Sequence, residues 1–88
     1  MHVNVEWVDK TLNGWNARIN VTLSVDEISR LDKDSICNIE DYSIDIEGSS
    51  LKFDCFLNND EPWEDEHLEE LLKALKLEVE YHVHGLLK

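Results

Sequence analysis

Two pairs of alternating segments, each joined by turn residues, constrain the fold of this chain more than any other feature. Val3, Val5 and Trp7 alternate with Asn4 and Glu6, and Ala17, Ile19, Val21, Leu23 and Val25 form a second row of the same period. A period of two marks a strand with one buried face. Asn13-Gly14 lies between the rows and signals a hairpin. A two-residue Asn13-Gly14 loop would set Trp7 opposite Asn20, an apolar row against a polar one. A three-residue loop, Leu12-Asn13-Gly14 with Gly14 left-handed, opposes Trp7 with Ile19 and Val5 with Val21, and is the expected register. Trp7 then belongs to the inner face. Trp15 sits at the hairpin tip opposite Thr11, open between core and interface roles.

The second pair is simpler. Tyr42, Ile44 and Ile46 lead to Gly48-Ser49, and Leu51, Phe53, Cys55 and Leu57 return. A two-residue loop opposes Ile46 with Leu51, Ile44 with Phe53 and Tyr42 with Cys55.

Helices fill the gaps. Ser24-Val25-Asp26-Glu27 has the form of a capping box, and Ile28 and Leu31 follow one turn apart, so a short helix of about two turns ending near Lys33 is expected. Asp34 to Asp41 shows no period. Asn58-Asn59-Asp60-Glu61-Pro62 is a break and a helix start, with proline where its missing N–H costs nothing. Leu68, Leu71, Leu72 and Leu75 then mark one helix face. Beyond them Leu77, Val79, Tyr81 and Val83 alternate with Glu78, Glu80, His82 and His84, which predicts a helix over about 61–75 and a strand over 77–84. The competing arrangement, one helix running to Tyr81, would bring Glu78 and His82 beside the leucine face. The expected fold is α+β in two layers, an antiparallel sheet of about five strands in the order ββαββαβ covered by one amphipathic helix. No linker or composition shift divides residues 1–88, so one domain is expected.

Charge narrows the function. Thirteen acids and a single base, Lys52, fall between Asp34 and Leu72, and this stretch carries the whole net charge of −12. A surplus of that sign excludes a basic patch for direct nucleic-acid binding and opposes docking on an anionic membrane. No apolar run approaches the roughly 20 residues of a spanning helix, and the start lacks the basic and apolar regions of a signal peptide. A cytoplasmic location is the expectation, or the host-cell cytoplasm for a phage-encoded chain.

The acids concentrate where a partner could read them. Asp60, Glu61, Glu64, Asp65, Glu66, Glu69 and Glu70 fall on a helical length of about 15 Å, against on the order of nine phosphates in the same length of duplex. Acids near a helix start also favour the helix itself, by roughly 0.3–1 kcal/mol each, but this leaves Glu66, Glu69 and Glu70 unexplained. Glu66, Glu69 and Glu70 are therefore the candidate first contacts. Asp60, Glu61, Asp65, Asp45 and Glu47 extend the surface, and Trp63, an aromatic among acids, is a candidate anchor.

The other constellations are weaker. His82-x-His84 would share one face of the expected strand with Glu78 and Glu80, a weakly specific zinc pair that needs a further ligand such as His2 or His67 to approach. Cys37 and Cys55 have no CxxC spacing, and acidic surroundings oppose a reactive thiolate. There is no glycine-rich phosphate loop. No catalytic residue and no cofactor are assigned. The reading is a non-enzymatic acidic protein that blocks a basic, nucleic-acid-binding site on a partner enzyme or complex. This is the inhibitor or DNA-mimic strategy, a comparison with phage anti-defence and nuclease-immunity proteins that rests on size and composition alone. The alternatives are a homodimerising module using the terminal strand as a sheet edge, or a metal-binding domain using His82 and His84.

Overall fold

The computed structural model describes residues 1–12, 14–40, 42–58 and 65–87, with side chains at all of these except 37, 38, 58 and 65–67. The elements are β1 (His2–Lys10), β2 (Gly14–Thr22), α1 (Val25–Ser29), a 3-10 helix (Lys33–Asn38), β3 (Ser43–Glu47), β4 (Ser50–Asn58) and α2 (Asp65–Leu86). The four strands form one antiparallel sheet in the order β1-β2-β4-β3. Residues of odd number on β2 and β4 face α2. Ala17, Ile19, Val21, Leu51 and Phe53 close with Leu75, Val79 and Val83 into the core. Each of these side chains larger than alanine contributes roughly 1.5–3 kcal/mol when removed from water.

The second hairpin matches its sequence pattern. Ile46 pairs with Leu51 and Ile44 with Phe53. Gly48 carries the left-handed φ of +57° that a tight two-residue loop demands. Tyr42 stops short of the strand and packs its ring edge-on against Phe53 at 5.6 Å.

The first hairpin departs from its expected register. Val3 pairs with Val21 and Val5 with Ile19, after which the register shifts so that Trp7 meets Arg18 and Val8 meets Ala17. The shift is a bulge at Glu6, and it changes which residues point inward. Glu6 and Trp7 both turn to the open face while Val8 returns to the core side. Trp7 is thus 38% exposed and not an inner-face residue. Thr11 donates from its backbone N–H to the Gly14 carbonyl at 2.7 Å, tying the end of β1 to the start of β2. Gly14, at φ 158°, opens β2 and is not the left-handed turn residue. Trp15 pairs with Lys10 and Leu57, and at 4% exposure belongs to the core.

The expected terminal strand is absent. Residues 77–84 continue α2, which runs to Leu86, so among the described residues the sheet has four strands, not five. The reason lies in which apolar residues are buried. Leu72, Leu75, Val79, Val83 and Leu86 recur every three or four residues and hold the helical stripe, while Leu77 and Tyr81 are 69% and 77% exposed. Those two surface side chains create the alternation that imitates a strand. An edge-strand homodimer through residues 77–84 loses its basis with them.

Helix α1 is shorter than the two turns expected, but its cap is the one read from sequence. The Glu27 N–H donates to Ser24 Oγ at 3.2 Å, and the Ser24 N–H donates to Glu27 Oε1 at 3.0 Å. The N-terminal ammonium donates to the same oxygen at 2.8 Å. This ammonium first, and the Ser24 amide second, hold the Glu27 carboxyl down to about 2. A folded-state value below the ordinary 4.5 means the contribution is complete above about pH 4.5 and is lost as pH falls toward 2. Glu27→Gln should therefore flatten the acid limb of stability between pH 4.5 and 2, read by urea unfolding at stepped pH. An unchanged slope would dissociate this contact from acid unfolding.

Candidate functional site

Helix α2 covers one face of the sheet. Among the described residues, no element covers the other. That open face carries Glu6, Trp7 and Asp9 from β1, Asn16, Arg18 and Asn20 from β2, Lys52, Asp54 and Phe56 from β4, and Asp45 and Glu47 from β3. Its two cations are occupied. Arg18 Nε and Nη2 donate to the two Asp54 carboxylate oxygens at 2.6 and 2.8 Å, a bidentate pair across β2 and β4. The Asp54 hydrogen bonds, with the fields of Asp54, Glu6 and Glu47, hold the Arg18 guanidinium firmly charged. Its carbon also stands 5.6 Å from the centre of the Trp7 ring. Lys52 Nζ crosses β2 to reach both Glu6 carboxylate oxygens at 3.0 Å. What remains is an acidic excess, Asp45 and Glu47 on the β3 edge and Asp9 on the β1 edge, on a face that also exposes Trp7 of β1 and Phe56 of β4.

The sequence-selected acids divide between surfaces. Asp45 and Glu47 are exposed on β3, where Ile44 and Ile46 alternate with them toward the helix side. Glu69 and Glu70 are exposed on α2, with the sheet standing between them and the β3 pair. None of the four makes an ion pair within 4 Å among the described residues. Asp65 and Glu66 fall in the first turn of α2. Asp60, Glu61 and Trp63 lie outside the described residues. The structure thus brings Asp45 together with Glu47, and Glu69 with Glu70, but does not gather these four onto one side.

The histidines are rearranged by the same helix that replaces the strand. Two residues along a helix turn through about 200°, so His82 and His84 point away from one another and cannot share an ion. Each has its own carboxylate one turn earlier: His82 Nε2 is 3.8 Å from Glu78 and His84 Nε2 is 3.7 Å from Glu80. His82 also meets the Tyr42 ring edge-on at 5.6 Å. No group of three metal-ligating side chains occurs among the described residues.

Cys55 faces the core side, half-buried. Burial first, then the charges of Asp54 and Glu78, push its thiol up to about 11, which leaves it a small hydrophobe and not a nucleophile.

Sequence reasoning missed the Trp7–Arg18–Asp54 arrangement. Its signal was present: Arg18 and Lys52 are isolated cations at outward positions of otherwise alternating strands. What could not be read was the pairing of β2 with β4, which joins residues 36 apart.

Fold and surface together define a small two-layer α+β protein with an open, acidic, aromatic-bearing sheet face. No family model, curated protein or solved structure matches the chain, and no helix among the described residues is long and apolar enough to cross a membrane.

Proposed function

We propose that this protein is a non-enzymatic binding protein that uses unneutralised carboxylates to occupy a basic, nucleic-acid-binding site on another protein. One observation carries the reading. The cations of the open face, Arg18 and Lys52, are taken up by Asp54 and Glu6, while Asp45, Glu47, Glu69 and Glu70 stay exposed and unpaired among the described residues. Such charge opposes compaction and is not repaid by internal pairing. A cationic partner surface would neutralise it, and long-range attraction would speed the encounter. Because the sheet separates the two acid pairs, one rigid partner groove meets one surface or the other, and the two are tested separately.

The experiment is capture from native lysate on the immobilised protein at low and high salt. Parent protein should capture a nucleic-acid-binding protein that high salt releases. Either Asp45→Lys with Glu47→Lys, or Glu66→Lys with Glu69→Lys and Glu70→Lys, should lower capture by about tenfold or more, with circular dichroism unchanged. Equal capture by the parent and both variants would refute a role for these carboxylates.

A further inference from the structure

The acids of β3 sit on a sheet edge. β3 ends the strand order and pairs only with β4 among the described strands. A free edge presents a row of N–H and C=O groups able to accept another strand. The opposite edge, β1, is broken by the bulge at Glu6, which interrupts the straight ladder a continuous added strand would need. β3 is regular across Ser43–Glu47.

This edge is shaped. Along the edge itself Ile36, Ile39, Tyr42, Ile44 and Ile46, together with Lys33, Ser43 and Asp45, line a shallow groove of about 530 Å³. Ile46 remains 42% exposed there, an apolar side chain of an edge strand left partly uncovered by the described residues. On the open side Asp45 and Glu47 stand at alternate positions, exposed and without an ion pair among the described residues. Side chains directly opposite one another on paired strands lie about 4.5–5.5 Å apart at Cβ, so each row would be read by one row of the incoming strand.

We infer that the free edge of β3 accepts an extended segment of a basic partner protein, in which apolar residues enter the Ile36–Ile46 groove and alternate lysines or arginines face Asp45 and Glu47. This rests on the proposed contact with a basic partner and adds main-chain pairing as its means. The same charges select the occupant. A second copy of this chain paired through β3 would bring Asp45 and Glu47 near their own equivalents, and like charges on paired strands are destabilising.

Two blocked nine-residue peptides of identical composition test this on the full chain, one alternating lysine and valine, the other with its lysines and valines in separate blocks. Fluorescence anisotropy should show the alternating peptide binding about tenfold tighter or better. Amide exchange should slow across Ser43–Glu47 when it binds. Ile46→Asp, and separately Asp45→Lys with Glu47→Lys, should each weaken it about tenfold, whereas Glu69→Lys with Glu70→Lys should not. Unchanged circular dichroism confirms that the variants remain folded. Equal affinity for the two peptides overturns strand addition and leaves attraction by charge alone. Binding of neither peptide also overturns it, while the lysate capture by parent and charge-reversed proteins decides the broader reading independently.

Discussion

Val79→Asp is expected to unfold this protein, whereas Leu77→Asp, two residues away, should leave it folded. Val79 is fully buried in the same core cluster as Ile19, Val21 and Phe53, and no cation is among the residues of that cluster. A carboxylate there loses its water without gaining a partner, at a cost of several kcal/mol. An 88-residue domain has a total stability of about 5–15 kcal/mol, and a chain this small and this charged belongs toward the lower end. Leu77 is 69% exposed, so the same substitution there removes little packing and changes stability by under about 1 kcal/mol. Urea unfolding separates the two. The contrast also tests helix against strand: in a strand, residues 77 and 79 would share one face and the two variants would behave alike.

The second large effect is expected at Phe53. Its ring is completely buried at the centre of the sheet, its backbone pairs with both Ile19 and Ile44, and Tyr42 meets it edge-on at 5.6 Å. Phe53→Ala leaves a cavity enclosed by two neighbouring strands and α2, surroundings that cannot easily collapse. A loss of about 3–5 kcal/mol follows. Phe56, three residues on, points to the open face and is half-exposed, so Phe56→Ala should cost less than about 1 kcal/mol. The pair therefore measures which face α2 covers. Comparable losses at both positions would mean that the open face is packed.

Local signals were legible in this chain, and signals needing a distant partner were not. Gly48-Ser49 with flanking alternation specified the register of the second hairpin, because the loop and the apolar rows demand the same one, although the expected Tyr42–Cys55 pair lies beyond the end of β3. Ser24 and Glu27 specified the start of α1 for the same reason. The first hairpin failed on a bulge: one extra residue at Glu6 lets Val3, Val5 and Val8 all face inward, an option that strict alternation excludes. Residues 77–84 satisfied two periods at once, since Val79 and Val83 fit both a helix and a strand. Only the packing of α2 against β1 and β2 exposes Leu77 and Tyr81. The acidic stretch was plain in composition, yet its division by the sheet depends on β4 pairing with β2, a contact between segments distant in sequence, such as Arg18 and Asp54.

On the proposed function, exposed carboxylates of this protein occupy a site where a nucleic acid would otherwise sit. The most direct measurement adds the protein to its captured partner already holding a labelled duplex or single strand, and follows release of the label. Parent protein should displace the nucleic acid in proportion to its own binding, and a variant carrying Asp45→Asn, Glu47→Gln, Glu69→Gln and Glu70→Gln should displace little or none. A ternary complex, with label and protein held together on the partner at saturation, would contradict the account.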